Sequence, residues 1–100
     1  MGCKVIFSPQ AIADLEHAVR FIAQDNPAAA LRFGNALIER AAILENFPLP
    51  GTPYYKRPGV RKLVCRPYII FYRLREQENV VDILRYWHST QREPDLPTLE

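Results

Sequence analysis

The side chains best suited to acid–base chemistry are a histidine at the end of the last apolar run and a glutamate near the middle of the chain. His88 follows Trp87, and an imidazole can act as an acid or a base because its unperturbed pKa lies near neutrality. Glu45 is a candidate base, provided that the end of the helix before it approaches a sheet. Cations that could hold a phosphate lie between these two positions: Lys56, Arg57, Arg61 and Lys62.

Those cations belong to a strongly basic segment, residues 54–75. It contains no acidic residue and seven basic ones: Lys56, Arg57, Arg61, Lys62, Arg66, Arg73 and Arg75. Residues 1–50, by contrast, carry four Lys or Arg and five Asp or Glu. The net charge of +2 therefore conceals a local positive field. The alternative interpretation is a solvated basic face that binds nothing.

Length and composition limit how such groups can be used. The chain has 100 residues, 48% hydrophobic and 24% charged, which is typical of one small globular domain. A core of this size leaves room for a surface groove or a binding face and not for a deep substrate cavity. The two cysteines, Cys3 and Cys65, match neither a metal motif nor a disulfide framework, so we expect half-buried thiols. We expect no metal and no cofactor.

The start of the chain predicts a short strand and a helix. Lys4–Phe7 is rich in β-forming residues and stops at Ser8, which can cap a helix that begins at Pro9. The spacing predicts an apolar stripe on this helix, consisting of Ile12, Leu15, Val19 and Ile22. The side chains expected to lie off the stripe are Asp14, Glu16, His17 and Arg20, and we assign His17 no role.

A second helix follows at once. Asp25 or Asn26 can cap it, with Pro27 in its first turn. Its apolar stripe contains Ala30, Phe33, Leu37, Ala41 and Leu44. Because the connection is short, the two helices should pack as an antiparallel hairpin.

The second half predicts an antiparallel sheet. After a loop rich in proline and glycine, the predicted strands are Val60 to Arg66, Tyr68 to Arg75, and Val80 to Trp87 or His88. Short connections favour a meander, with the helical hairpin on one face and the other face partly open. The fold class is therefore α+β, in the order β-α-α-β-β-β. We expect one domain over residues 1–93 and a loosely ordered tail over residues 94–100.

No stretch is long and apolar enough to span a membrane, and the N-terminus lacks the plan of a signal peptide. We therefore expect a cytoplasmic protein without a membrane partner.

Two stretches carry a family resemblance, which covers residues 3–93. The first is VIFSPQAIADLEHAVRFIAQDNP, and the second is VRKLVCRPYIIFYRLREQENVVDILRYWHSTQREP. Together they resemble the RelE/ParE superfamily of type II toxin–antitoxin toxins. The positions that match its pattern are Arg61, Tyr68, Tyr72, Trp87, His88, Gln91 and Arg92. The ParE-like branch is favoured, and such toxins contribute to plasmid stabilisation.

The resemblance implies one of two activities. ParE-like members inhibit DNA gyrase and lack a nuclease constellation, so this chain would be an inhibitor and not an enzyme. RelE-like members are ribosome-dependent mRNA endoribonucleases. Metal-free RNA cleavage needs a base for the 2′-hydroxyl, an acid for the leaving oxygen and cations for the developing charge. The residues available for it are His88, Arg61, Lys62 and Glu45.

The start of the central strand favours the gyrase branch. RelE-like nucleases with a catalytic histidine carry an arginine there, whereas this chain has Tyr68 and Ile69, and Arg73 and Arg75 lie at the far end of the strand. For His88, the alternative is a structural role in which the imidazole bonds backbone at the strand end.

Both branches imply a cognate antitoxin and a toxin–antitoxin hetero-oligomer. A basic sheet face and an exposed strand edge favour an extended or helical acidic segment that folds as it binds. Of Tyr86 and Trp87, which point to opposite faces, one should be core and the other surface. The candidate binding surface consists of Arg61, Arg66, Arg73, Arg75, Arg85, Tyr86, His88, Gln91 and Arg92. Its target is DNA gyrase or, alternatively, the ribosome and mRNA.

Overall fold

Helix α1 begins where the sequence places a serine before a proline. The computed structural model, which describes residues 2–91 and Leu96, shows strand β1 (Lys4–Phe7) ending next to Ser8. The Ser8 hydroxyl accepts the Ala11 N–H at 3.0 Å and so caps α1 (Pro9–Ala23), as predicted. The same hydroxyl donates to the Leu84 carbonyl at 2.9 Å, which fixes the start of the helix on the sheet.

The buried face of α1 differs from the predicted stripe. Ala11 and Ala18 are buried, whereas Ile12 is 47% exposed, so the expectation for Ile12 is wrong. The physical reason is the anchoring of Ser8 and Asp14 to the last strand, which turns that side of the helix inward. Small alanines on this side let the helix lie close to the sheet.

Helix α2 (Pro27–Ala42) follows the prediction closely. The Asn26 side chain caps it by accepting the Ala29 N–H at 3.0 Å. Ala30, Leu37, Ala41 and Leu44 are buried, and Phe33 is half-buried. A Cβ at Gly34 would lie 2.9 Å from the Val19 side chain, so the glycine permits the close approach of α2 to α1. A short 3-10 helix, Ile43–Glu45, continues from α2.

The sheet has five strands in the order β1-β5-β4-β3-β2. The strands after the helices are β2 (Thr52–Pro53), β3 (Val60–Cys65), β4 (Tyr68–Arg75) and β5 (Val80–His88). Strands β3, β4 and β5 form the predicted antiparallel meander. The two-residue β2 was not predicted because it lies in the proline-rich loop. The α+β class is confirmed, and β1 is the exception to antiparallel pairing, since it runs parallel to β5.

Each face of the sheet carries its own apolar cluster. The helix-side core consists of Ala11, Leu37, Ala41, Leu44, Leu63, Ile70, Tyr72, Val81, Ile83 and Tyr86. Tyr54, Val60, Phe71 and Leu84 form the far-side cluster, and Leu96 packs against it. Tyr54 belongs to the loop between β2 and β3, so the face expected to be partly open is covered in part by loop residues. Cys3 and Cys65 are half-buried free thiols packed against the helix-side core.

None of the helices among the described residues has the length and apolar character needed to cross a membrane. The predicted tail lies outside the described residues apart from Leu96.

Candidate functional site

Glu45 and His88 lie at opposite ends of the sheet. The backbone carbonyl of Glu45 accepts the Cys3 N–H at 2.6 Å, beside Lys4, which pairs with Val80 at the start of β5. His88 is eight residues further along β5, about 26 Å away at roughly 3.3 Å per residue. The end of α2 does approach the sheet, but at the end remote from His88.

Arg61 is held by the loop before β3. Its guanidinium donates to the Gly51 carbonyl, and the Gly51 N–H donates to the Tyr72 hydroxyl at 3.2 Å. Arg61 faces Tyr72, which pairs with Ile83, five residues before His88 on β5. At roughly 3.3 Å per residue, and with the width of two strands added, Arg61 is about 19 Å from His88.

Lys62 is directed toward the far-side cluster. Its ammonium lies 5.8 Å from the centre of the Tyr54 ring, a cation–π contact. The four candidate nuclease residues therefore do not converge, since His88, Arg61, Lys62 and Glu45 occupy separate parts of the fold.

Arg73 and Arg75 are not the uncompensated cations that the basic segment suggests. Asp82 of β5 accepts two hydrogen bonds from Arg75, at 2.8 and 3.1 Å, and one from Arg73 at 3.2 Å. Glu78 also pairs with Arg75 at 3.1 Å. The hydrogen bond to Asp82 raises the pKa of Arg75 above its ordinary value. Acids from outside residues 54–75 thus neutralise one end of the predicted positive field.

Arg85 and Tyr86 also depart from the prediction of an open binding surface. Arg85 pairs with Asp14 of α1 at 2.7 Å and lies 4.7 Å from the centre of the Trp87 ring. Tyr86 is 1% exposed, and its hydroxyl donates to the Leu37 carbonyl at 3.0 Å. Tyr86 belongs to the core, so its placement on a partner surface is wrong. Burial raises its pKa well above the ordinary value.

His88 is ordered by its neighbours at the end of β5. Its Nδ1 lies 2.7 Å from the Thr90 hydroxyl and 3.3 Å from the Thr90 N–H. Because a backbone N–H can only donate, Nδ1 accepts in this contact, which corresponds to the neutral tautomer with its proton on Nε2. The ring also makes an edge contact with Tyr68, with centroids 5.2 Å apart. The alternative role foreseen for His88, a bond to backbone at the strand end, is present.

His88 and Tyr68 line a groove between the helical hairpin and the adjoining end of the sheet. The groove has a volume of about 580 Å³, and we call it the aromatic groove after its rings. They are His17, Phe21, Phe33, Tyr68 and His88. Burial and, to a smaller extent, the charge of Asp14 raise the pKa of Tyr68. Sequence reasoning missed His17 and Phe21, although their spacing of four residues places them on one side of α1.

The remaining predicted surface residues have different outcomes. Gln91 lines the aromatic groove and is exposed. Arg66 is exposed beside Pro67, which also lines the groove. Arg92 lies outside the described residues. A binding role for these residues stays a prediction.

Among the described residues, no group of three or more His, Cys, Asp or Glu side chains is placed to hold a metal ion. The residues that line the aromatic groove offer ring stacking and hydrogen bonding through His88, the Tyr68 hydroxyl and the Gln91 amide.

Several solved structures resemble this fold, among them the following two. The chromosomal ParDE TA system from P. aeruginosa aligns with a TM-score of 0.74 at 23% identity, over 86% of this chain and 95% of that chain. The toxin–antitoxin complex RelBE2 from Mycobacterium tuberculosis aligns with a TM-score of 0.67 at 27% identity, over 88% and 99% of the two chains. No curated protein matches the sequence.

The family is given by a sequence model. The model for the ParE toxin of the type II toxin–antitoxin system parDE matches residues 5–93. That range contains both stretches on which the resemblance to the RelE/ParE superfamily rests. The chain therefore belongs to the ParE toxin family of type II toxin–antitoxin systems.

Proposed function

We propose that this toxin inhibits bacterial DNA gyrase by binding it, and that a cognate antitoxin holds it inactive. The observation that carries the proposal is the separation of the nuclease candidates. Glu45 and His88 lie at opposite ends of β5, about 26 Å apart along the strand. Catalysis needs its acid, base and cations within hydrogen-bond reach of one phosphate, and this fold does not bring them together.

The state of the individual side chains supports the same choice. Arg61 is bonded to the Gly51 carbonyl, and Arg73 and Arg75 are bonded to Asp82. Cations committed to the fold in this way are poor candidates for stabilising a transient charge on a phosphate. An inhibitor that works by docking needs only a stable surface, which a domain of 100 residues provides. The match to the ParE toxin model supports the same target.

An antitoxin partner is supported by two of the solved neighbours, which are a toxin–antitoxin system and a toxin–antitoxin complex. The fold offers such a partner an unpaired strand edge. Strand β2 pairs only with Arg61 and Lys62, so within the described residues Leu63–Cys65 have no strand neighbour on that side. Val64 is 51% exposed there, which suits an extended segment that adds to the sheet.

The test of the gyrase proposal is a supercoiling assay. Purified toxin in excess over gyrase, with relaxed plasmid and ATP, should leave the plasmid relaxed or cleaved, and prior addition of the antitoxin should restore supercoiling. The antitoxin is the product expected from a small acidic reading frame next to the toxin gene. Normal supercoiling in the presence of excess toxin would contradict the proposal.

A parallel assay examines the nuclease alternative. Translating ribosomes incubated with the toxin should give no new cuts in the message within the A site. New cuts that disappear in His88→Ala would establish the endoribonuclease activity and overturn the choice of gyrase. The inhibitor would act in the bacterial cytoplasm, where gyrase and its DNA are found.

A further inference from the structure

The aromatic groove presents rings from two different parts of the fold. His17 and Phe21 come from α1 and Phe33 comes from α2, whereas Tyr68 and His88 come from β4 and β5. Phe33 packs against Tyr68 with centroids 5.5 Å apart, and Tyr68 packs against His88 at 5.2 Å. Phe21 is 68% exposed, so much of its ring remains uncovered at the rim of the groove.

The imidazole of His88 provides the groove with a hydrogen-bond donor. Since Thr90 holds His88 Nδ1 as an acceptor, the Nε2–H is the group left to bond another molecule. Among the described lining residues, the Tyr68 hydroxyl, the Thr90 hydroxyl and the Gln91 amide add further polar groups. Within the part of the chain that the structure describes, none of the lining side chains is a carboxylate.

The size and the surroundings of the groove restrict its ligand. A volume of about 580 Å³ lies within the roughly 300–1,000 Å³ common for small-molecule sites. Arg66 is exposed next to the lining residue Pro67, and it makes no ion pair with any other described residue. The ligand best suited to such a place combines a flat ring, hydrogen-bonding edges and a nearby negative charge.

We propose that the aromatic groove binds one unpaired nucleobase of a single-stranded nucleic acid. The base stacks on the exposed ring of Phe21 and its neighbours, and its edge accepts the His88 Nε2–H. Arg66 contacts an adjoining phosphate. An aliphatic side chain from a protein partner would fill the same space and cover the imidazole N–H without offering an acceptor, which is unfavourable for a donor that the partner buries.

Binding can be measured by the fluorescence anisotropy of labelled 12-nucleotide single strands at low salt. Phe21→Ala should weaken binding about 5- to 150-fold, because base stacking on an aromatic ring contributes roughly this much. Phe47→Ala is the matched control, since Phe47 is 67% exposed and lies outside the groove. It should bind as the parent does. A duplex of equal length should bind more weakly, because its bases are not available for insertion.

The two histidines provide a direct readout of groove occupancy. They are the only histidines of the chain, and both line the groove, so ¹⁵N- or ¹³C-labelled histidine gives ring signals from this place alone. Both ring signals should shift as an unlabelled single strand is added. Arg66→Ala should reduce the slope of log affinity against log salt by about 0.7, the value for one phosphate contact on a single strand. Thermal melting of each variant checks that it is folded.

Three results would overturn the nucleobase proposal. The first is the absence of single-strand binding at low salt. The second is equal binding by parent and Phe21→Ala, which would indicate that the strand is held only by non-specific attraction to the cations of the protein. The third is histidine shifts that arise only with the antitoxin and not with nucleic acid, which would assign the groove to a protein segment. None of these depends on whether gyrase is the target.

Discussion

The carboxylate of Asp14 holds the guanidinium of Arg85 through two hydrogen bonds, at 2.7 and 2.8 Å. These residues are 71 positions apart in the chain, and both side chains are 16% exposed. The same carboxylate accepts the Tyr86 N–H at 3.1 Å. Strand β1 pairs with β5 only as far as Ile83. Asp14 therefore links α1 to the part of the β5 edge that β1 leaves uncovered.

Replacing Asp14 should destabilise the fold substantially. Asp14→Ala removes the carboxylate that bonds a largely buried arginine and a strand N–H, and we expect a loss of about 3 kcal/mol in the free energy of unfolding. Urea denaturation followed by circular dichroism measures it. Asp25→Ala, which removes an exposed carboxylate at the end of α1, should change stability by less than about 0.5 kcal/mol.

A double-mutant cycle checks the origin of that loss. If the pair is the cause, Asp14→Ala combined with Arg85→Ala should cost less than the sum of the single changes, since the second change removes the charge that Asp14 compensated. Additive losses would contradict the assignment of Asp14 and Arg85 as one unit.

Tyr86 should make the fold sensitive to alkaline pH. Burial raises its pKa above the ordinary 10.0, so the unfolded chain loses the phenolic proton at a pH where the folded chain keeps it. The contribution of the protonated Tyr86 phenol to stability is therefore complete below about pH 10. As the pH rises further, the free energy of unfolding falls by up to about 1.4 kcal/mol per pH unit. Urea denaturation at pH 9 and pH 11 measures the decline.

The matched variants for this pH effect are Tyr86→Phe and Tyr55→Phe. Tyr86→Phe should be less stable at pH 7, because it loses the hydrogen bond to the Leu37 carbonyl, but its stability should fall less between pH 9 and pH 11. Tyr55 is 79% exposed, and its replacement should leave the parent's decline unchanged. An equal decline in all three proteins would refute the role of Tyr86.

The sequence was sufficient for the elements whose signals are local. Ser8 caps α1 as predicted, and Asn26, one of the two predicted candidates, caps α2. The runs of β-forming residues become β3, β4 and β5. The rotation of α1 was not predictable, because it depends on contacts between Asp14 and β5 that lie 71 or more residues away. Periodicity favoured Ile12 for the core, whereas the tertiary hydrogen bonds of Ser8 and Asp14 turn the neighbouring side with Ala11 and Ala18 inward.

The candidate site was less predictable than the fold for a related reason. Counting charge along residues 54–75 left out Asp82, which cross-strand pairing places against Arg73 and Arg75. The aromatic groove draws on both helices, the start of β4 and the end of β5, so its rings are dispersed from residue 17 to residue 88. Only a fold that joins α1 to the end of β5 brings His17 near His88.

Gly51 should tolerate no side chain. A Cβ there would overlap the Lys62 carbonyl oxygen and touch the Tyr72 hydroxyl at 3.0 Å. Gly51→Ala must displace backbone and weaken the hydrogen bonds that join this loop to Tyr72 and Arg61, so we expect a loss of about 2–4 kcal/mol. Denaturant melts measure it, with Gly2→Ala as the control, whose Cβ would meet its nearest neighbour at 3.3 Å. Parent-like stability of Gly51→Ala would show that the loop can move freely.

His88→Ala should separate the two toxin activities in living cells. If the protein inhibits gyrase without a catalytic histidine, induced expression of His88→Ala in the absence of antitoxin should arrest growth. The growth rate should then lie within about twofold of the rate measured with the parent protein. If it cleaves mRNA with His88 as acid or base, the variant should lose about 10²–10⁴-fold in cleavage rate and permit growth. His17→Ala is the matched control, because it removes the other histidine of the aromatic groove without touching a predicted catalytic position. Growth with His88→Ala and arrest with His17→Ala, at equal amounts of folded protein, would favour the nuclease.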